Sequence, residues 1–153
     1  MSSSTRTTRR LSPGRGLDPG GVIAFHEQDL TTPSSTSSPK VPLWEQVIGW
    51  LSHALVAACP HADAGARLLG HFAAAGLPDP EVYGELLVTG RPDSPGCRLV
   101  AETARSLRPV LERIGVRAEE VDVGTLESRL RAAVVQAGAQ LTSFPQYMAI
   151  ARV

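Results

Sequence analysis

The chain has 153 residues, 42% hydrophobic and 20% charged, which is enough apolar material for one folded domain and too much for a disordered chain. Fifteen Lys and Arg balance fifteen Asp and Glu, so net charge gives no pull toward nucleic acid or an anionic membrane. The two cysteines, Cys59 and Cys97, lie far apart, which excludes a disulfide scaffold and suits a reducing, cytoplasmic setting; no apolar run reaches the roughly 18–20 residues of a membrane helix.

Residues 1–16 are rich in Ser and Thr, carry Arg6, Arg9, Arg10 and Arg15, and hold no acidic residue. They read as a disordered leader or a misplaced start. A targeting or regulatory arm is the alternative, although no apolar segment follows the arginines as a signal requires. From Leu17 a Pro-Gly-Gly turn (Pro19, Gly20, Gly21) runs into a short apolar strand, Val22–Phe25, which stops in His26, Glu27, Gln28 and Asp29. Thr31–Pro42 is a Thr, Ser and Pro linker expected to form no regular element.

Leu43 opens an amphipathic helix in which Leu43, Val47, Trp50, Leu51, Ala54, Leu55 and Ala58 follow the 3.6-residue period and Pro60 marks the end. A second helix is expected from Asp63, a suitable N-cap, to Gly76, a suitable C′ residue. Val82, Gly84, Leu86 and Val88 alternate with their neighbours at strand period, and Gly90–Pro95 is a loop. Val100, Ala104, Leu107, Leu111 and Ile114 step at helical spacing; Pro109 leaves a kinked helix or two shorter ones open. Thr125 and Gly138 bracket a fourth helix, and Gln146–Val153 reads as a last strand after a Phe144-Pro145 turn. The order of strand, two helices, strand, two helices, strand predicts an α/β layer; a helical bundle is the alternative.

At this point a family resemblance enters. Leu17-Asp-Pro-Gly-Gly-Val-Ile-Ala-Phe25 is similar to the turn and fifth strand of class I S-adenosylmethionine-dependent methyltransferases, and Phe25-His-Glu-Gln-Asp29 resembles a small-molecule subgroup of them. Phe72-Ala-Ala-Ala-Gly-Leu77 with the strand at Val82–Val88 resembles the family's last helix and sixth strand, and Tyr147–Val153 its seventh, antiparallel strand. The resemblance covers residues 17–153. It implies an α/β fold: the C-terminal part of a Rossmann-like methyltransferase sheet, three strands, with a helical pair inserted at about 95–138. The implied reaction is direct displacement of a methyl group from the sulfonium onto a small-molecule nucleophile.

The family's glycine-rich cofactor loop and ribose-binding acidic residue have no counterpart here, and Gly14-Arg-Gly16 has no strand before it to replace them. The expectation is a partial domain that does not bind S-adenosylmethionine alone, with no cofactor-binding residue of its own. A homo-oligomer or a complementing N-terminal half would be its partner. The strand end supplies the site candidates: His26 as general base, with Glu27 and Asp29 orienting substrate and Trp44 walling the pocket. The bland roles of the polar three are loop capping and solvation, and Trp50, on the apolar stripe, is expected in the core.

Cys59-Pro-His61, with His53 and His71 nearby, lacks the paired ligand spacing of zinc, and Cys59 lacks a nucleophile's partners; no metal is expected. The Arg and Glu residues from Glu102 to Arg131 alternate as an ion-paired, solvated face. The rival function is a non-enzymatic helical interaction module that docks a partner on the apolar stripes after Pro95.

Overall fold

The computed structural model describes residues 20–32 and 36–153; the leader at 1–16 and the first half of the turn lie outside the described residues. Strand β1 (Val22–Gln28) starts beyond Gly20, whose φ of +85° suits glycine alone. The Gly20 N–H donates to the Val153 carbonyl at 2.6 Å, and the Val153 N–H to that of Gly21 at 2.9 Å, tying the start of β1 to the chain's last residue.

Strand β2 (Thr36–Ser38) lies inside the segment expected to be irregular. Three polar residues carry no readable period, and their pairing is decided by a partner strand a hundred residues away. Helix α1 (Pro42–Ala58) places Pro42 in its first turn, where a missing N–H leaves no bond unmade. The expected second helix is shorter: a 3₁₀ turn (Gly65–Arg67) precedes α2 (Leu68–Ala74). Asp63 does not cap it; its carboxylate faces Arg67 at 3.4 Å instead.

The single strand expected at 82–88 is two, β3 (Glu81–Glu85) and β4 (Val88–Thr89), broken at Leu86-Leu87. Four helices, not a pair, fill the insertion. The Pro109 question resolves to two helices, α3 (Gly96–Ser106) and α4 (Arg108–Arg113), with the break at Leu107 and Pro109 in the first turn of α4. Helix α5 (Ala118–Val121) is a single turn, below the length at which periodicity is visible. Helix α6 (Leu126–Ala137) ends at Gly138, φ +58°. Strands β5 (Gln140–Thr142) and β6 (Gln146–Arg152) close the chain.

The fold is therefore mixed α and β; the described residues form six strands where three were expected, and every hydrogen-bonded pair is antiparallel, unlike the Rossmann-like sheet expected. The sheets have orders β1-β6-β3 and β2-β5-β4. Because β1 and β3 both oppose β6, they run in the same direction as each other. Each pair of chain segments, β1 then β2, β3 then β4, β5 then β6, crosses from one sheet to the other. Among the described residues the two sheets are thus one three-stranded ribbon, broken after Gln28 and at residues 86–87 and 143–145.

Two cores form. Leu68 and Phe72 of α2 pack on Ala149 and Ala151 of β6, where small side chains admit the helix, and Phe25 meets Phe72 edge-to-face at 5.6 Å. The larger core joins α1, α3, α4 and α6 over Leu141 of β5. The other face of the first sheet is uncovered by the described residues, leaving Val22 57% and Tyr83 52% exposed. No helix among the described residues is long and apolar enough to cross a membrane.

A close backbone approach occurs at Gly65, where a Cβ would lie 2.8 Å from the Glu27 carbonyl oxygen and the Gln28 carbonyl carbon. Gly65→Ala must push the 3₁₀ turn off the end of β1, at an expected cost of about 1–3 kcal/mol. Gly70→Ala, inside α2 with nothing within 4 Å, should instead stabilise by about 0.5–1 kcal/mol. Chemical denaturation of both variants checks this; equal effects would remove the close approach as a constraint.

Candidate functional site

At the carboxyl end of β1 the chain turns on Asp29, which is 1% exposed. Its Oδ1 accepts from the Thr31 N–H at 2.9 Å, the Thr31 hydroxyl at 2.6 Å and the Thr32 N–H at 3.3 Å, and its Oδ2 accepts from the Thr32 hydroxyl. The Asp29 N–H donates to Pro145 O at 3.0 Å and the Leu30 N–H to Ala62 O at 2.8 Å, fixing the turn to two other segments. Burial pushes the Asp29 carboxyl up, but the hydrogen bonds from Thr31 and Thr32 outweigh it and hold the group below its usual value. Both carboxylate oxygens serve the turn.

His26 and Glu27 are successive strand residues and therefore project to opposite faces. His26 lies on the open face, where its Nε2 is 3.6 Å from Glu85 Oε1 of β3, a pair exposed enough to contribute little to stability. Glu27 lies on the α2 side and lines a shallow cleft of about 710 Å³ with Phe25, His61, His71 and Phe72. The sheet separates these two candidates.

Trp44 stands in a different wall. Glu45, beside it in the first turn of α1, accepts from the Ser37 N–H at 2.9 Å and the Ser37 hydroxyl at 2.7 Å; Ser37 Oγ in turn accepts from the Val41 N–H at 2.8 Å. The start of α1 is thereby bolted to β2. This turns the buried stripe so that Trp44 is 3% exposed and Trp50, the expected core residue, is only half-buried.

Trp44 lines a cleft of about 210 Å³ at the break in the ribbon. Gln28 and Leu30 from the end of β1, Leu87 from beyond β3, and Ser143 and Phe144 from before β6 form one side. Ile48, Leu51 and Leu55 of α1, with Leu99, Val100 and Thr103 of α3, form the other, and no lining residue is charged. Gln28 shares the open face of β1 with His26, one strand repeat of about 7 Å further along. Trp44 Nε1 is a buried donor with no partner among the described residues.

The structure therefore brings Trp44 to the carboxyl ends of β1 and β3 and leaves His26 and Glu27 on opposite faces of the sheet, neither of them lining the Trp44 cleft. The walls from α3 and β5 carried no signal in the sequence beyond their core periodicity. Cys59 is half-buried and Cys97 buried, and among the described residues no three His, Cys, Asp or Glu side chains gather as metal ligands. No protein-family model matches the chain, and no curated protein matches it.

A carboxyl depressed in the folded state contributes stability in full above its unfolded value and loses it as pH falls through the folded one. For Asp29 that window lies below the ordinary 3.8. Asp29→Asn should flatten the acid limb of stability below about pH 4, and Asp29→Ala should cost about 1–3 kcal/mol at neutral pH. Denaturant titrations at a series of pH values test both, and an acid limb unchanged in Asp29→Asn would assign it to other carboxylates.

Proposed function

We propose that this chain is the acceptor-binding, C-terminal portion of an S-adenosylmethionine-dependent methyltransferase that acts on a small molecule and is inactive alone. The observation that carries the reading is the position of the Trp44 cleft. It opens off the carboxyl ends of β1 and β3, which run in the same direction on either side of the antiparallel β6; open α/β sheets place their ligands at strand carboxyl ends. The antiparallel β6 also agrees with the family's antiparallel seventh strand.

The residues present do not fit the cofactor itself. No glycine occurs between Gly21 and Gly49, so no glycine-lined backbone follows β1. The carboxylate after β1, Asp29, is engaged by Thr31 and Thr32. The loop before α3 is closed from within: Arg131 donates to the carbonyls of Pro92 and Ser94, and Gly90 packs on the Ala139 carbonyl. In this reading the cofactor is held by groups outside the described residues, and this chain binds and orients the acceptor. His26, on the face that leads to Gln28 but outside the cleft lining, is the general base in this reading, taking a proton from an acceptor hydroxyl or amine.

The rival, a helical docking module, needs free apolar stripes after Pro95. Ala101, Ala104, Leu111, Leu126, Leu130 and Val134 are instead buried in the larger core, which favours the first reading.

Calorimetric titration of the 153-residue chain with S-adenosylmethionine should give no binding signal, and micromolar affinity would overturn the half-enzyme reading. The in-frame DNA before Met1 is the companion test: a Gly-x-Gly-x-Gly segment there supports the reading, and a stop codon with no such segment counts against it.

A further inference from the structure

We propose that the outer edge of β1 pairs antiparallel with β1 of a second copy of this chain, around a twofold axis at Phe25, joining two three-stranded sheets into one. The inference goes beyond the half-enzyme reading, in which a complementing half would displace the second copy from the same edge. The pairing itself follows from β1 alone.

The first observation is the direction of the backbone groups. The Asp29 N–H donates to the Pro145 carbonyl and the Gly21 carbonyl accepts from the Val153 N–H, so Ile23, Phe25 and Glu27, in step with them, turn their N–H and C=O toward β6. Val22, Ala24, His26 and Gln28 turn theirs outward, where nothing among the described residues pairs with them. The second is access. Every residue of β1 except Ile23 is exposed. The face bearing Val22 is uncovered by the described residues, and on the α2 side the cleft of about 710 Å³ lies beside Phe25 and Glu27. An incoming strand has room on both faces.

The third observation is self-complementarity. Centred on Phe25, the register sets Ala24 opposite the second copy's His26 and Val22 opposite its Gln28, so every outward N–H and C=O of β1 finds a partner. A slip of two residues either way leaves the end pair unmade, and one of those slips sets His26 against itself. On the α2 face Phe25 meets the second copy's Phe25, with Cα atoms about 4.5 Å apart, and Ile23 lies opposite Glu27. No like charges are opposed. Phe25 is 44% exposed in the single chain and already touches Phe72 edge-to-face, so the second ring extends an aromatic cluster. The assembly closes at two, because pairing uses up the β1 edge and the other edge, β3, is short and carries Glu81 and Glu85.

Sedimentation equilibrium of the 153-residue chain, from micromolar to submillimolar concentration, should fit a monomer–dimer equilibrium with a micromolar dissociation constant, as a small interface implies. Amide hydrogen exchange should slow at Val22, Ala24, His26 and Gln28 as concentration rises, with Ile23, Phe25 and Glu27, already bonded to β6, as the reference. Ala24→Pro removes an outward N–H and leaves the ladder to β6 intact. It should weaken the dimer by about 10–100-fold, because the bond is lost twice around the twofold. If Ala24→Pro does not fold, the exchange profile of the unaltered chain decides the matter alone. A monomer throughout, an open series of larger species, or a dimer in which the outward amides exchange as in the monomer would overturn the proposal. So would a folded Ala24→Pro variant that dimerises undiminished. Protection independent of concentration would also overturn it, assigning the edge to residues 1–19 of the same chain. Dimerisation is read without any methyl donor, so micromolar affinity for S-adenosylmethionine would sink the half-enzyme reading while leaving the dimer result intact.

Discussion

The arrangement depends on one continuous stretch, Gln140–Arg152, which forms the middle strand of both sheets. β5 pairs with β2 and β4, and β6 with β1 and β3. None of the outer strands pairs with another. Remove the chain from Gln140 onward and all four outer strands lose their partners at once. The cost of closing such long loops is recovered only when the final strands arrive. The broken ribbon follows from the same stretch: Ser143, Phe144 and Pro145 interrupt pairing between β5 and β6 while Ser143 N–H still bonds Leu87 O at 3.0 Å.

The helices were largely legible and the sheets were not. A period of 3.6 sustained over three turns or more identifies α1 and α6, because each buries one stripe along its length. β2 and β5 are three residues each, too short for alternation to register. Their pairing is fixed by tertiary contacts, the Glu45 carboxylate on Ser37 among them. Phase also escaped the pattern in α1. Both Trp44 and Trp50 lie near the apolar face, and the anchoring of the first turn to β2 decides which one goes inside.

The candidate site divides along the same line. His26, Glu27 and Asp29 were visible as a polar cluster at a strand end, yet adjacency in sequence means opposite sides of a sheet. Asp29 is a turn residue whose oxygens are saturated locally, while His26 and Glu27 face different solvent. Trp44 was readable as a pocket wall. The pocket itself was not, since its walls come from segments as far apart as Gln28 and Phe144 and meet only where the ribbon breaks.

The two outer edges of the first sheet differ in a way that bears on function. β3 is five residues long, carries Glu81 and Glu85 and a central Gly84, and has every residue exposed: short, charged edges of this kind resist further pairing. β1 is seven residues long, holds no Lys or Pro, and begins with four apolar residues. Among the described residues nothing pairs with its outer edge, and the face bearing Val22, Met148 and Tyr83 lies open beside it. An edge left so unprotected in a folded chain is an invitation to another strand. That asymmetry favours the reading in which the sheet continues past β1 into a cofactor-binding half. In that reading such a half would bring its ligand to the carboxyl end of β1, beside the Trp44 cleft.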